Sequence, residues 1–243
     1  IFWAQSDRDW VLDGAAVHVS MVGFDRGGPG PFALDGHGVA TINADLSPSA
    51  TRSSAQCLQE NAGICFQGPV KVGPFDISPE LALQMLESSN PHARPNSDVV
   101  RPWRNATDIV GNPRGYYMID FGSMPLAEAA LYEAPFEYVN THVRPAREKN
   151  KSPNRREKWW LLGATATEMR TALAALPRYA ATPRHSKYRI FVWLGPETLP
   201  DSALVAFARA DSYFFGVLHS RPHELWALRQ GTQLEDRTDR RQH

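Results

Sequence analysis

The 243-residue chain has few cysteines and no long hydrophobic run. Cys57 and Cys65 are too few for a disulfide framework, and no His or Asp stands beside them at the spacing of a zinc site. The longest apolar stretch, residues 17–24, is interrupted by His18 and Ser20 and falls well short of the roughly 20 residues that span a bilayer. We therefore expect no membrane partner and a reducing, cytoplasmic compartment.

The sequence also lacks a secretory signal and the common catalytic motifs. It begins at Ile1, with no basic segment, apolar segment and small-residue cleavage site before the first structured stretch, so we expect a fragment of a longer polypeptide. Glycine-rich phosphate loops, nucleophile elbows and H-E-x-x-H helices are absent. His219 and His223 are four residues apart, but only Glu224 stands near them. We predict no catalytic and no metal-binding residue.

The charge is balanced overall but unevenly distributed. There are 26 Lys and Arg residues and 26 Asp and Glu residues, yet the segment 144–189 has twelve cations and three anions, a formal charge of +9. Such a block attracts a phosphate backbone through its local potential, whatever the total charge. A nuclease needs carboxylates and a lysine that converge on a metal ion. The segment 144–189 contains no such triad. The alternative interpretation is an ordinary solvated charged face.

Periodicity and helix-end signals predict a mixture of strands and short helices. A helix at residues 79–88 has Ser78 as its N-cap and Pro79 as its first residue. Residues 90–115 contain four prolines and are expected to be irregular. The other predicted elements are a hairpin within 14–46 that pairs 16–24 with 39–42, strands at 116–121, 179–182, 188–194 and 204–208, and helices at 125–143 (tolerating Pro135 or kinked there), 167–176 and 214–228 (entered from Ser212).

Tryptophans next to cations complete the residue types that suit nucleic acid. Lys and Arg bind phosphates, Asn, Gln, Arg and Lys address base edges, and indole rings stack on bases or brace a loop. Packing in the core is the expected role of Trp160 and Trp193, while Trp103 could serve either purpose.

Several strings resemble the MmeI-like (type IIL) restriction-modification enzymes and, more broadly, the class I SAM-dependent N6-adenine DNA methyltransferases. They follow the family's order along nearly the whole chain: residues 11–20 (VLDGAAVHVS), 71–77 (KVGPFDI), 94–103 (RPNSDVVRPW), 129–139 (AALYEAPFEYV), 156–160 (REKWW), 178–187 (RYAATPRHSK) and 215–227 (FGVLHSRPHELWA).

The resemblance implies an α+β fold, a mixed, largely antiparallel sheet with short helices, in which the target recognition domain chooses the DNA sequence. On this interpretation residues 1–46 are the last strands of the methyltransferase catalytic domain, 47–233 the target recognition domain and 234–243 a polar tail. The family's SAM loop and Asn-Pro-Pro-aromatic motif are missing, and Asn112-Pro113-Arg114 does not replace the latter. We therefore expect no cofactor in this fragment, SAM in the parent enzyme, and an upstream methyltransferase domain as partner.

The predicted ligand is double-stranded DNA, bound by side chains from the proline-rich stretch, the basic segment and the last helix. These are Lys71, Arg94, Asn96, Arg101, Arg104, Lys149, Arg155, Lys158, Arg178, Arg184, His185, Lys187, His219 and Ser220. Within the proline-rich stretch from Asn90 to Arg104 the candidate base readers are His92, Arg94, Asn96, Arg101 and Arg104. The competing interpretation is that this stretch only covers the core.

Two other functions remain open. One is a small-molecule enzyme domain with an anion pocket around Arg184, His185, Lys187 and His219. The other is a module whose basic face docks a protein. A long positive groove from Lys149 to Lys187 would favour DNA, whereas a compact cavity with a perturbed titratable group would favour a metabolite.

Overall fold

The computed structural model describes residues 1–12, 15–28, 30–48, 58–230, 232–234 and 237–239. The chain forms two compact units, Ile1–Cys57 and Leu58–His243. Cys57, Asp236 and the end of the predicted polar tail at 240–243 lie outside the described residues. The assignment of residues 1–46 to a methyltransferase catalytic domain stays a prediction.

The first unit is a four-stranded sheet. Its strands are β1 (Trp3–Leu12), β2 (Ala15–Gly23), β3 (Phe32–Leu34) and β4 (His37–Val39), in the order β2-β1-β3-β4. The predicted hairpin is wrong in its pairing, because β2 pairs with β1 and not with residues 39–42, and the hairpin within 14–46 joins β3 to β4. A register shift between Gln5 and Arg8 disguises the alternation of β1. Ala4, Leu34 and Ile42 form the core of this unit.

The second unit contains three sheets. Its strands are β5 (Cys65–Gln67), β6 (Asp76–Ile77), β7 (Val100–Arg104), β8 (Tyr117–Ile119), β9 (Tyr179–Pro183), β10 (His185–Ser186), β11 (Val192–Leu194), β12 (Leu199–Pro200), β13 (Leu204–Phe207), β14 (Thr232–Leu234) and β15 (Arg237–Asp239). The orders are β11-β9-β13-β5, β12-β7-β8-β6 and β10-β15-β14. All strand pairs in them are antiparallel except β12 with β7.

Short helices pack between and beside these sheets. They are α1 (Pro79–Glu87), α2 (Ala106–Val110), α3 (Leu126–Ala129), α4 (Glu133–His142), α5 (Arg144–Glu148), α6 (Pro153–Glu157), α7 (Thr167–Leu173), α8 (Ser212–His219) and α9 (Arg221–Gln230). The fold is therefore α+β with mixed, largely antiparallel sheets, as the sequence predicted. The predicted cap of α1 is also confirmed, because the Ser78 hydroxyl accepts a hydrogen bond from the Leu81 amide at 3.3 Å.

Three element predictions were wrong in detail. Residues 90–115 are not irregular, because β7 and α2 lie within them. The helix expected at 125–143 is two helices, and Pro135 lies in the first turn of α4, where proline is tolerated. The helix expected at 214–228 divides at Ser220, since Pro222 cannot continue α8 and the Ser220 hydroxyl accepts a hydrogen bond from the His223 amide.

Two further strand boundaries differ from the prediction. The strand expected at 188–194 is limited to Val192–Leu194. The polar tail predicted at residues 234–243 contributes the strand Arg237–Asp239, which pairs with β10 and β14.

The main core of the second unit lies between the β12-β7-β8-β6 sheet and helices α1, α3 and α4. Trp103, Trp159 and Trp160 are all buried in it. The Trp160 indole donates to the Met124 carbonyl at 2.9 Å, as a packed tryptophan should. Trp193 is half-buried and stacks on Phe215 with ring centroids 4.4 Å apart. In the part of the chain that the structure describes, no helix is long and apolar enough to cross a membrane.

Candidate nucleic-acid interface

The densest part of the basic segment folds into α5, α6 and the loop between them, here called the basic helix pair (residues 144–158). Arg156 fixes the loop by donating to the carbonyls of Asn150 at 2.8 Å and Lys151 at 3.2 Å. The Asn150 side chain accepts a hydrogen bond from the Ser152 amide at 3.0 Å. The side chains of Lys149, Lys151 and Lys158 are exposed to solvent.

Arg147, on the inner face of the basic helix pair, is buried with only 2% of its surface exposed. Its Nη2 donates to the backbone carbonyls of Lys71 at 3.1 Å and Leu161 at 2.8 Å, and its guanidinium lies 5.4 Å from the centre of the Phe75 ring. The Nε atom is buried without a hydrogen-bond partner. Burial, and then the nearby charge of Arg155, hold the pKa of Arg147 below its usual value.

A surface cavity of about 270 Å³ opens beside Arg147. Arg155 and Lys158 line it from α6 and the residue after it, and Ser123 and Asn154 add a hydroxyl and an amide. Residues 161–165 form the remaining wall. The lining thus contains three cations and no carboxylate.

The second half of the basic segment lies on the β11-β9-β13-β5 sheet and on β10. Arg178 is held between elements: its Nε donates to the Ala210 carbonyl at 3.0 Å, its Nη2 donates to the Ser212 hydroxyl at 3.1 Å, and its guanidinium lies 4.0 Å from the Trp193 ring centre. Arg184 donates to the Ser202 carbonyl at 3.1 Å. His185 is half-buried on β10, and the Lys187 side chain is exposed. The candidate cations from Lys149 to Lys187, which were predicted to line one long groove, therefore lie on or next to two separate sets of elements: the basic helix pair, and β9 with β10.

His219 and Ser220 lie at the junction of α8 and α9 and make local contacts. The His219 ring lies 4.5 Å from the Phe215 ring, and its Nδ1 is 3.0 Å from the Phe215 carbonyl oxygen. The Ser220 hydroxyl donates to the Val217 carbonyl at 2.7 Å. These contacts account for both side chains as parts of a helix junction.

The anion pocket considered around Arg184, His185, Lys187 and His219 gains no support. Besides the cavity next to Arg147, surface cavities of about 210 and 290 Å³ are lined by residues near Arg101 and Arg170 and by residues near Asn90 and Glu133, respectively. None of the four proposed side chains lines any of these three cavities.

Two candidate DNA-binding residues, Lys71 and Arg94, form ion pairs with carboxylates of the same chain. Lys71 Nζ lies 2.5 Å from an Asp76 carboxylate oxygen and 5.0 Å from the centre of the Trp103 ring. Arg94 pairs with Glu128 at 3.0 Å. Both side chains are partly exposed, but a carboxylate already neutralises each charge.

Asn96, a predicted base reader, is buried, and its amide is used inside the protein. It is 4% exposed, and its amide donates to the Met85 carbonyl at 2.7 Å and the Ser88 hydroxyl at 3.2 Å. The interpretation that this stretch covers the core therefore holds at Asn96. Arg101 donates to the carbonyls of Pro196 and Glu197, and Arg104 donates to the carbonyl of Trp103.

Arg147 lies within the basic segment but is not among the residues that the sequence predicted to bind DNA. The signal was present, because Val139, Val143 and Arg147 recur every four residues and so lie on one helical face. Both valines are fully buried, and the arginine shares their face. Among the described residues, no group of three or more His, Cys, Asp or Glu side chains could hold a metal ion.

The chain is similar in structure to the type IIL restriction-modification enzyme MmeI, solved in complex with DNA. The similarity has a TM-score of 0.71 at 15% sequence identity and covers 98% of this chain. It covers 33% of the MmeI chain, so this chain spans about a third of the length of that protein. The resemblance inferred from the sequence is thus confirmed at the level of the fold.

Comparisons at the sequence level add no family assignment. No protein-family profile matches the chain, and no curated protein matches it.

Proposed function

We propose that this chain recognises a short sequence in duplex DNA for a SAM-dependent adenine-N6 methyltransferase of a restriction-modification system. The observation that carries the proposal is the fold, which matches a DNA-bound restriction-modification enzyme along 98% of the chain. The strings that resemble this family run in order through the same residues.

Electrostatics support DNA as the ligand. The formal charge of the chain is zero, but the basic helix pair exposes Lys149, Lys151 and Lys158 on one short segment. Cations that approach phosphates release condensed counterions, which drives binding even for a neutral protein. Phosphate contacts of this kind position a protein on the duplex, and sequence is read by other side chains in the grooves.

Within the proposal, catalysis belongs to the rest of the parent enzyme. Residues 1–46 end its catalytic domain, and SAM binds upstream of this chain. We therefore predict that SAM does not stabilise the chain, since a ligand that binds only the folded state raises its stability by RT ln(1 + [L]/Kd). Thermal unfolding with and without millimolar SAM measures this, and a clear rise in melting temperature would contradict it.

Duplex binding measured over a series of salt concentrations tests the proposal. We predict a linear fall of log K with log salt, and a slope smaller by about 1.8 in Lys149→Gln/Lys151→Gln, because each phosphate contact contributes about 0.9. Arg209→Gln/Arg221→Gln removes the same charge from two surface arginines that already pair with Asp211 and Glu224, and is the matched control.

The same assay separates recognition from non-specific attraction. Selection from a pool of random duplexes should enrich one short motif if the chain reads sequence. Binding that does not change with salt, or a pool that stays random after selection, would overturn the proposal.

A further inference from the structure

We infer that the cavity between Arg147, Arg155 and Lys158 is a phosphate site, which binds one tetrahedral phosphate-type oxyanion. The inference deepens the proposed function and rests on it in one respect: the oxyanion is then a backbone phosphodiester of the bound DNA. A free phosphate ion has the same chemistry, and the experiment below distinguishes the two sources.

The hydrogen-bond partners of Arg147 do not neutralise its positive charge. Arg147 is 98% buried, and its hydrogen bonds are to backbone carbonyls, which do not neutralise its charge. Its Nε atom donates to nothing. Because a buried charge is costly unless it is paired, this arrangement leaves a positive charge beside the cavity that an anion would neutralise.

The cavity lining contains cations and no carboxylate. Arg155 and Lys158 face the same cavity as Arg147, and no carboxylate lies among the lining residues. Like charges that face one cavity repel each other unless an anion lies between them. Asp120, the buried carboxylate near this region, is already engaged: it pairs with Arg170 at 2.7 Å and accepts a hydrogen bond from the Gly122 amide.

The lining and the rigidity of the cavity define the ligand class. The cavity of about 270 Å³ is lined by three cations, a hydroxyl and an amide, a set of donors that suits a small oxyanion. The wall is fixed, because Ala164 and Val70 exchange backbone hydrogen bonds at 3.0 and 3.1 Å, and the Gly163 amide donates to Lys71. Ser123 and Asn154 supply neutral donors for the remaining oxygens.

The test compares the whole chain with Arg155→Gln, Lys158→Gln and the control Arg221→Gln. Arg147 is left intact because its removal would disturb the core. Inorganic phosphate should raise the melting temperature of the wild type and of Arg221→Gln above that in chloride of equal ionic strength. The rise should be lost in Arg155→Gln and reduced in Lys158→Gln. An equal rise in all four proteins, or none in the wild type, would overturn the site.

A second arm identifies the source of the phosphate. At constant ionic strength, inorganic phosphate should weaken duplex binding by the wild type more than chloride does, and this excess should disappear in Arg155→Gln. Phosphate that stabilises the protein without competing with duplex would overturn the assignment to a DNA phosphodiester. Phosphate stabilisation with no duplex binding at all would overturn the proposed function and leave the phosphate site standing.

Discussion

At the scale of single residues, the protein itself uses the polar atoms of several candidate DNA-binding side chains. Arg94 and Asn96 stand in a stretch that the sequence predicted to be irregular, where their side chains looked free to address bases. Arg94 instead pairs with Glu128, and Asn96 donates to the end of α1. Partners this distant along the chain depend on packing, which a single sequence does not display.

Asn96 should matter for stability and not for DNA binding. Asn96→Ala removes both donors of a buried amide and leaves the Met85 carbonyl without the hydrogen bond it accepts from that amide, so we expect a loss of about 1–3 kcal/mol in the free energy of unfolding. Urea denaturation measures it, with the exposed neighbour Ser97→Ala as the control. An unchanged stability with a changed DNA preference would restore the base-reading interpretation.

At the scale of elements, the sequence predicted the start of a helix correctly where the N-cap residue and a proline both act within that helix. The Ser78 cap and Pro79 set the start of α1 because both act on the first turn alone. The same reliance on prolines failed at β7. Pro102 sits in this strand opposite Tyr117, and burial of Val100 and Trp103 favours a strand despite the missing amide hydrogen.

Helix α2 should make stability depend on acid pH through Asp108. Burial alone would raise the pKa of this carboxyl, but hydrogen bonds from Arg114 and from the amides of Asn105 and Arg114 outweigh burial and lower it. A carboxyl with a lowered pKa stabilises the fold above its unfolded pKa of about 3.9, and this contribution disappears as the pH falls through the folded pKa.

Asp108→Asn isolates that contribution. At neutral pH we expect a loss of about 0.5–2 kcal/mol, because the variant weakens a capping box in which Asn105 and Asp108 cap each other's amides. Urea denaturation at several pH values should show the difference from the wild type shrinking below about pH 4. A difference that is the same at pH 3 and pH 7 would contradict the ion pair between Asp108 and Arg114, whose Oδ1 and Nε atoms lie 3.0 Å apart.

At the scale of the whole molecule, the sequence located the charge but not its arrangement. A formal charge of +9 over residues 144–189 marked the segment in which cations most outnumber anions, with 12 of the 26 Lys and Arg residues. Some of these cations stay exposed, such as Lys149, and others line the surface cavity, such as Arg147. The difference depends on how α4, α5 and α6 turn at residues 143 and 149–152. Those turns follow from tertiary packing, so the phosphate site was not predictable from charge counting.

The division into two units predicts which part of the chain binds DNA. Every core cluster of Leu58–His243 is built from its own residues, so we expect this part to fold alone. All the proposed DNA contacts lie within it, and residues 1–57 contain three Arg and six Asp, so their removal takes away net negative charge. The truncated chain should therefore bind duplex at least as tightly as the whole chain, with the same salt slope. Circular dichroism verifies that it is folded, and a folded truncation that has lost duplex affinity would place part of the interface in the first unit.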